Sequence, residues 1–253
     1  MQKIKIINTF IDNLSTGELL QQLDERGGMV FTPNIDHLMI LQKEPEFYKA
    51  YKMADYRVCG GQILMYSMIF LGTPIKEKIL GSDLLPKFYL SHKNNPNIKR
   101  FLLGAAPGVA QKAQKNINLK VGREMVFGAH SPSFGFEKKE EECSRIVDLI
   151  KKSGANVLAV GVGAPKQEKW IIKYKEKLNS VKRFLAIGAT IDFEAGHKKR
   201  APKWMSNARL ETPYKLLSEP ARLWKRYLIQ DPPFLGLAFK NKINIYQDPF
   251  THL

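Results

Sequence analysis

The chain has 253 residues, of which 44% are hydrophobic, so it is long enough for one sizeable domain with a full core. Its formal charge of +16 favours anionic partners such as nucleic acid, lipid headgroups or nucleotide-activated substrates. The two cysteines, Cys59 and Cys143, exclude a disulfide framework and favour a reducing compartment. No apolar run approaches the ~20 residues of a membrane span, and no signal-peptide pattern follows Met1. Composition therefore predicts a cytoplasmic globular protein.

The predicted elements alternate between short aliphatic strands and helices. Residues 1–7 begin as a strand, and residues 28–31 form a second strand that leads through Thr32 and Asn34 into an apolar-periodic helix over 38–51. The same order recurs at residues 100–116, 157–170 and 184–190. This alternation predicts a Rossmann-like α/β fold, with a mostly parallel sheet flanked by helices. Ligands of such sheets bind outside the carboxyl ends of the strands, where we expect one rim of residues: Thr32, Asn34, Gly104, Gly163, Gln167 and Gly188.

The stretch from Val157 to Trp170 carries the strongest chemical signal. A buried strand breaks at Gly161 and Gly163, and Pro165 then opens a helix. Free N–H groups at such a helix start, together with the helix dipole, form an anion site. Lys166 would add a charge, and Gln167 could contact a substrate hydroxyl. An ordinary strand-to-helix turn fits the same spacing.

The character of the chain changes from His197 onward. Residues 197–253 contain eleven Lys or Arg against four Asp or Glu. Within them, residues 218–229 are predicted to form a basic amphipathic helix with aromatic side chains. Such a helix can lie on an anionic membrane surface, or dock on the core with its basic side in solvent. We therefore divide the chain into an α/β domain, residues 1–196, and a basic appendage, residues 197–253.

Several chemistries are excluded by missing motifs. The glycine pair lacks the third glycine of a dinucleotide fingerprint, and Val181 and Lys182 stand where an acidic ribose ligand is expected. No Walker motif, metal-ligand spacing or Asp-x-Asp occurs, which predicts neither a cofactor nor a metal. No nucleic-acid recognition module is present. A diphosphate leaving group would then be neutralised by N–H groups, Lys and Arg.

Six ordered motifs cover nearly the whole chain and lie at residues 32–34, 80–83, 161–168, 188–196, 199–204 and 219–227. Together they resemble the motifs of the WecG/TagA/CpsF family of bacterial glycosyltransferases. The resemblance implies an inverting, metal-independent transfer of a hexose or N-acetylhexosamine from a UDP-sugar to an undecaprenyl-diphosphate-linked sugar. It also implies a place in cell-surface polysaccharide or teichoic acid synthesis at the inner face of the membrane, with an appendage that completes the active site. The sequence does not decide between a monomer and a homo-oligomer.

The resemblance also assigns residues. Thr32 and Asn34 match positions beside the reacting sugar, Gln167 a substrate contact, and Asp192 a contact to the uridine half of the donor. Gly135 and Phe136 resemble the pair that lines the family's nucleotide pocket. Three arginines are candidates for holding the diphosphates: Arg200, Arg222 and Arg226.

Two positions depart from the family pattern. Gly60 stands where the family has its expected catalytic Asp, and Lys78 replaces an arginine. Inverting transfer needs a group to take the acceptor proton, and glycine cannot do this. Asp36 is the nearest replacement by sequence, although it could equally cap a helix. The chain could instead be a divergent enzyme with another donor or acceptor, or a protein that binds these sugars at the membrane without catalysis.

Overall fold

The computed structural model of the chain describes residues 1–202, 205, 211–218 and 220–252. Within helices, the side chains of residues 211, 212, 215, 218 and 222 lie outside this description. The motif at residues 199–204 is therefore described only to Pro202, and the expected role of the Arg222 side chain falls outside the described residues.

Six parallel strands form the central sheet. In chain order they are β3 (Gly28–Phe31), β4 (Tyr56–Arg57), β5 (Arg100–Gly104), β6 (Val126–His130), β7 (Val157–Gly161) and β8 (Arg183–Ala186). Their order across the sheet is β4-β3-β8-β7-β5-β6. β5, β7 and β8 are buried throughout, because helices cover both faces of a parallel sheet. The Rossmann-like α/β prediction is confirmed.

The first strand belongs to a different sheet. β1 (Lys3–Ile6) pairs only with β2 (Thr9–Asp12), in an antiparallel hairpin whose register runs from Lys3 opposite Asp12 to Ile6 opposite Thr9. Exposed and buried residues alternate along β1, which is the pattern of a strand with one face in solvent.

Twelve α-helices lie within the described residues. They are α1 (Thr16–Arg26), α2 (Ile35–Ile40), α3 (Pro45–Met53), α4 (Gln62–Phe70), α5 (Gly81–Ser91), α6 (Val109–Val121), α7 (Glu140–Lys152), α8 (Lys166–Tyr174), α9 (Thr190–Glu194) and α10 (Glu211–Ser218), followed by two further helices in the C-terminal segment, α11 (Pro220–Lys225) and α12 (Pro233–Lys242). Short 3₁₀ turns lie at Phe136–Lys138 and Lys175–Lys177.

Two hydrophobic clusters cover the two faces of the sheet. Along β7, Leu158 and Val160 belong to one cluster, and Val157 and Ala159 belong to the other. Helices α2, α3, α4, α7, α8 and α12 contribute to the first cluster, and α1, α5, α6 and α9 contribute to the second. The alternation follows from the two-residue period of a strand.

Local signals explain several helix boundaries. Ser15 and Glu18 form a reciprocal capping box at the start of α1. The single helix predicted over residues 38–51 is wrong, because the chain divides there into α2 and α3 and Pro45 opens the second helix. Proline has no N–H to continue the hydrogen bonding of a preceding helix, whereas it is well suited to a first turn.

The C-terminal segment packs on the α/β layers. Phe234 and Ala238 of α12 are buried in the same cluster as the first face of the sheet. Beyond α12, Tyr246 donates a hydrogen bond to Gln42, and Tyr48 donates one to Asp248 at 2.8 Å. Within the described ranges, no helix combines the length and the apolar character needed to cross a membrane.

Candidate active site

A cavity of about 320 Å³ lies where four strand ends meet the C-terminal segment. The loops after β3, β4, β7 and β8 form its floor, and these four strands are neighbours in the sheet. Its polar and glycine lining includes Thr32, Asn34, Asp36, His37, Gly60, Gly163, Gln167, Gly188, Arg226 and Asp231. The structure therefore brings the predicted rim residues together, except for Gly104, which belongs to β5.

Arg226 links the C-terminal segment to the loop after β3. Its guanidinium donates a hydrogen bond to Asn34 Oδ1 at 3.0 Å and lies 3.5 Å from Asp36 Oδ2. On its other side, Arg226 Nε lies 3.7 Å from Asp231 Oδ2. One guanidinium thus stands between two carboxylates at the wall of the cavity.

Asn34 and Asp36 have different roles at the start of α2. Asn34 is the N-cap, and its Oδ1 accepts the backbone N–H of His37 at 3.2 Å. Asp36 lies inside the first turn, where its charge suits the helix dipole. The capping role that the sequence left open for Asp36 therefore belongs to Asn34.

Gln167 holds two strand-end loops together. Its Oε1 accepts backbone N–H groups from Gly163 at 3.3 Å and from Gly188 at 3.2 Å. Since backbone N–H groups only donate, the atom that faces them must be the amide oxygen, and Nε2 donates to Glu168 at 2.8 Å. The Gly163 amide that the sequence predicts to face an anion thus donates to Gln167 in this structure, and its contact with a substrate stays a prediction.

Burial perturbs two ionisable groups beside the cavity. Burial raises the pKa of Glu168 to about 7, and the charge of Asp36 acts in the same direction. Burial also lowers the pKa of His37 to about 3, as does the nearby Arg226 charge. His37 is therefore a neutral imidazole, and its Nδ1 shares a hydrogen bond of 2.6 Å with the Tyr51 hydroxyl.

Asp231 is a cavity residue that sequence reasoning missed. It follows a π-helical turn over Arg226–Gln230, and the residue is only 7% exposed. Burial raises its pKa to about 6, with Asp36 also raising it and Arg226 opposing. In the sequence, an aspartate before two prolines indicates only a helix start, so no local signal marks it as a site residue.

Two predicted glycines serve close backbone packing. Gly104 and Gly161 are paired across β5 and β7. A Cβ on Gly104 would lie 2.4 Å from the Gly161 carbonyl oxygen, and one on Gly161 would lie 2.5 Å from that of Gly188. Neither glycine is among the cavity-lining residues; their absent side chains let three strand ends approach, and their contact with substrate stays a prediction.

Gly135 and Phe136, the predicted nucleotide-pocket pair, are not among the cavity-lining residues. Gly135 adopts a left-handed conformation before a 3₁₀ turn, and Phe136 is 2% exposed with its ring packed near Trp170. The aromatic face that we expected Phe136 to offer is therefore part of the core, because Phe has no polar tip that would draw it towards solvent. The exposed ring of this loop is Phe134, which lies under the ammonium of Lys166.

Lys78, Lys166, Arg200 and Asp192 also lie outside the cavity lining. Lys166 forms an ion pair with Glu137 at 3.4 Å. Arg200 lies 3.1 Å from Asp83 and bonds the carbonyl of Ser82, which does line the cavity. Lys78 and Asp192 lie on segments beside the cavity, in the approach to α5 and in α9. Their substrate contacts stay predictions.

Across the described ranges, no group of three or more His, Cys, Asp and Glu side chains is arranged to hold a metal ion. The ionisable groups in and beside the cavity include Arg226, Asp36, Asp231 and the buried Glu168.

A parallel α/β sheet with a polar cleft across its carboxyl ends is an architecture in which a ligand binds at the strand ends. The family model described as "Glycosyl transferase WecG/TagA/CpsF family" matches residues 4–248, and the chain belongs to this family. It is a glycosyltransferase.

Curated relatives agree with this assignment. The chain is 27% identical over 227 residues to the N-acetylglucosaminyldiphosphoundecaprenol N-acetyl-beta-D-mannosaminyltransferase of Staphylococcus aureus strain MW2, covering 89% of this chain and 81% of the relative. The enzymes of the same name from strains NCTC 8325 and MRSA252 are 27% and 26% identical over the same length.

Proposed function

We propose that the protein transfers a hexose or N-acetylhexosamine, with N-acetylmannosamine as the first candidate, from a UDP-sugar to an undecaprenyl-diphosphate-linked sugar. The relatives named above carry N-acetylglucosaminyldiphosphoundecaprenol as acceptor in their names, which supports a lipid-linked acceptor for this chain. The product would enter cell-surface polysaccharide or teichoic acid synthesis. The transfer inverts the anomeric centre and needs no metal ion.

The observation that carries this proposal is the Arg226 bridge across the cavity. Arg226 lies in the C-terminal segment and binds Asn34 at the end of β3, so the cleft is closed by a cation from outside the sheet. A guanidinium grips phosphate oxygens with two N–H groups and stabilises the negative charge that develops on a departing diphosphate. Arg200 adds a second cation beside Ser82, at the edge of the same cavity.

The surface of the C-terminal segment supports work at a membrane. Large apolar side chains there are strongly exposed, among them Leu228 at 66%, Leu235 at 68% and Phe239 at 55%. Lys240 and Lys242 follow at the end of α12. Apolar groups beside lysines can insert at the interface of an anionic bilayer while the lysines contact its headgroups. We therefore place the enzyme peripherally at the inner face of the cell membrane.

A transfer assay in vesicles tests both parts of the proposal. UDP-N-acetylmannosamine and other UDP-hexoses are offered with a prenyl-diphosphate-linked N-acetylglucosamine embedded in phosphatidylglycerol or phosphatidylcholine vesicles, with and without a chelator. We expect a β-linked disaccharide lipid from an α-linked donor, insensitivity to the chelator, and faster turnover on the anionic vesicles. Absence of product from every UDP-sugar contradicts the transferase proposal, whereas equal rates on both vesicles contradict only its electrostatic membrane part.

A pair of arginine variants provides the internal control. Arg226→Gln removes the guanidinium from the cavity, and we expect kcat/KM to fall roughly 10–100-fold, since hydrogen bonds to charged groups contribute about 1.5–3 kcal/mol. Arg145→Gln removes an exposed charge from α7, outside the cavity lining, and should leave the rate unchanged. Equal effects of the two changes would assign the loss to overall charge rather than to the site.

A further inference from the structure

The cavity lacks a carboxylate at the position where the family resemblance predicts one. Gly60 lines the cavity, and a Cβ built on it would lie 2.4 Å from the carbonyl oxygen of Thr32. Because that neighbour is backbone, a larger residue at position 60 would require the loop to shift. The proton of an acceptor hydroxyl must therefore go to another group.

Asp231 is a buried carboxylate whose hydrogen-bonding capacity is unused. Both of its side-chain oxygens are buried, and neither has a hydrogen-bond partner within the described structure. Buried polar atoms are nearly always hydrogen-bonded, so two unpartnered oxygens at the wall of a cavity indicate a partner that binds there. A sugar hydroxyl has the chemistry of that partner.

A helix-capping role does not account for this side chain. The two residues that follow Asp231 are Pro232 and Pro233, which have no N–H to donate. The N–H of Phe234 is bonded to the backbone carbonyl of Asp231 instead of its carboxylate, and α12 has no side-chain cap. The Asp231 carboxylate therefore makes no hydrogen bond to the N-terminus of α12.

The groups around Asp231 set the pKa of its carboxyl group. Arg226, on the adjoining π-helical turn, faces it at 3.7 Å without a hydrogen bond, and Asp36 of α2 lies on the far side of that guanidinium. Beyond Asp36 lies the buried Glu168 of α8, and Arg226 also acts on His37. Burial together with the Asp36 charge raises the pKa of Asp231 to about 6, close to the range in which general bases are most effective.

We propose that Asp231, contributed by the C-terminal segment, is the general base of the transfer reaction in place of the missing carboxylate at Gly60. The assignment depends on the transferase proposed above. The acceptor hydroxyl oxygen forms a bond to the anomeric carbon while the bond from that carbon to the diphosphate oxygen breaks. The bonding pair leaves with the nucleoside diphosphate, and the hydroxyl proton passes to the Asp231 carboxylate.

Asp36 is the alternative that the geometry makes weaker. Its side chain is 23% exposed and pairs with Arg226 at 3.5 Å, so both water and a cation already satisfy it. Asp231 is more deeply buried and faces the same guanidinium at 3.7 Å, but neither of its oxygens has a hydrogen-bond partner among the described residues. We assign Asp36 to holding Arg226 and to tuning the neighbouring carboxylate.

The test compares the pH dependence of sugar transfer in three proteins. For the wild type, kcat/KM should fall about tenfold per pH unit below an apparent pKa near 6, because only the ionised Asp231 accepts a proton. Asp231→Asn should lower kcat by about 100-fold or more, the usual contribution of a general base, while UDP binding measured by calorimetry stays within about twofold. Asp36→Asn should keep the acidic limb but move it to lower pH, since a neighbouring negative charge is lost.

A matched control separates this effect from a general change in the C-terminal segment. Asp248→Asn removes a carboxylate that binds Tyr48 and the backbone of Phe250 outside the cavity, and it should leave the pH profile unchanged. Wild-type kcat in Asp231→Asn, or a parallel loss of UDP affinity, would overturn the assignment while the transferase proposal stands. A wild type that transfers no sugar overturns both together.

Discussion

Glu168 and Gln167 are neighbours on α8 with coupled roles. Gln167 Oε1 accepts hydrogen bonds from the backbone amides of Gly163 and Gly188. Its Nε2 donates to the carboxyl group of Glu168, which is completely buried. Burial makes the neutral form of Glu168 the favoured one, so the pair is a buried hydrogen-bonded unit beneath the cavity floor.

The raised pKa of Glu168 predicts a specific pH dependence of stability. Its pKa rises from 4.5 to about 7 on folding, so its stabilising contribution is complete below about pH 4.5 and is lost as pH rises through 7. Glu168→Gln mimics the neutral acid and escapes this loss. We expect the variant to have a higher free energy of unfolding than the wild type at pH 8, by up to about 3 kcal/mol, from roughly 1.4 kcal/mol per pKa unit.

Denaturant unfolding at pH 4.5 and pH 8 measures this difference. The gap between Glu168→Gln and wild type should narrow towards pH 4.5, where other titrating groups affect both proteins equally. A gap of the same size at both pH values would show that Glu168 does not titrate with a raised pKa.

At the residue scale, a position near the end of a strand predicts part of the cavity lining. Thr32 and Asn34 follow β3, and Gln167 lies in the first turn of the helix after β7. Asp36 pairs with Arg226, which lies nearly two hundred positions further along the chain. The burial of Asp231 likewise depends on how distant segments pack. No local periodicity reports such a contact, so these features needed the tertiary structure.

At the element scale, the glycines that end β5 and β7 let three strand ends approach. A Cβ on Gly161 would also lie 3.0 Å from Ile191 Cδ1, so a side chain there meets both backbone and core. We expect Gly161→Ala to lower the free energy of unfolding by about 1–3 kcal/mol, the usual result of overpacking.

Gly236→Ala is the matched control for this change. Gly236 is an exposed helical residue of α12, and a Cβ there meets nothing within 4 Å. The replacement should stabilise the protein by about 0.5–1 kcal/mol, because alanine is the better helix former. Urea unfolding of both variants distinguishes a steric effect from a general intolerance of alanine, and a stable Gly161→Ala protein would contradict the close-approach explanation.

The elements that the sequence predicts well are the buried ones with strong patterns. The aliphatic runs of β5, β7 and β8 stand out, whereas β4 has only two residues and β6 contains Gly128 and His130. In the C-terminal segment, the helix predicted up to Ile229 changes at Arg226 into a π-helical turn. This wider turn closes with the Asp231 N–H bonded to the Arg226 carbonyl at 2.8 Å, and it sets the two charged residues side by side at the cavity.

At the scale of the whole molecule, the C-terminal segment has two faces with different tasks. Phe234 and Ala238 anchor α12 in the core, while Arg226 and Asp231 face the cavity. Leu228, Leu235 and Phe239 remain exposed. The segment thus lines the cleft with one part and exposes apolar side chains with another, an arrangement that suits the lipid-linked acceptor proposed above. The division of the chain at residue 196 stays a prediction. The segments on either side of it contribute to one hydrophobic cluster.

A crystal structure of the protein with UDP tests the central claim most directly. The account predicts that the diphosphate lies in the cavity between the loops at Gly163 and Gly188 and the guanidinium of Arg226, within reach of an acceptor at Asp231. UDP bound elsewhere, for example in the cavity of about 500 Å³ beside Tyr246 and Gln42, with the strand-end cleft empty, would contradict it.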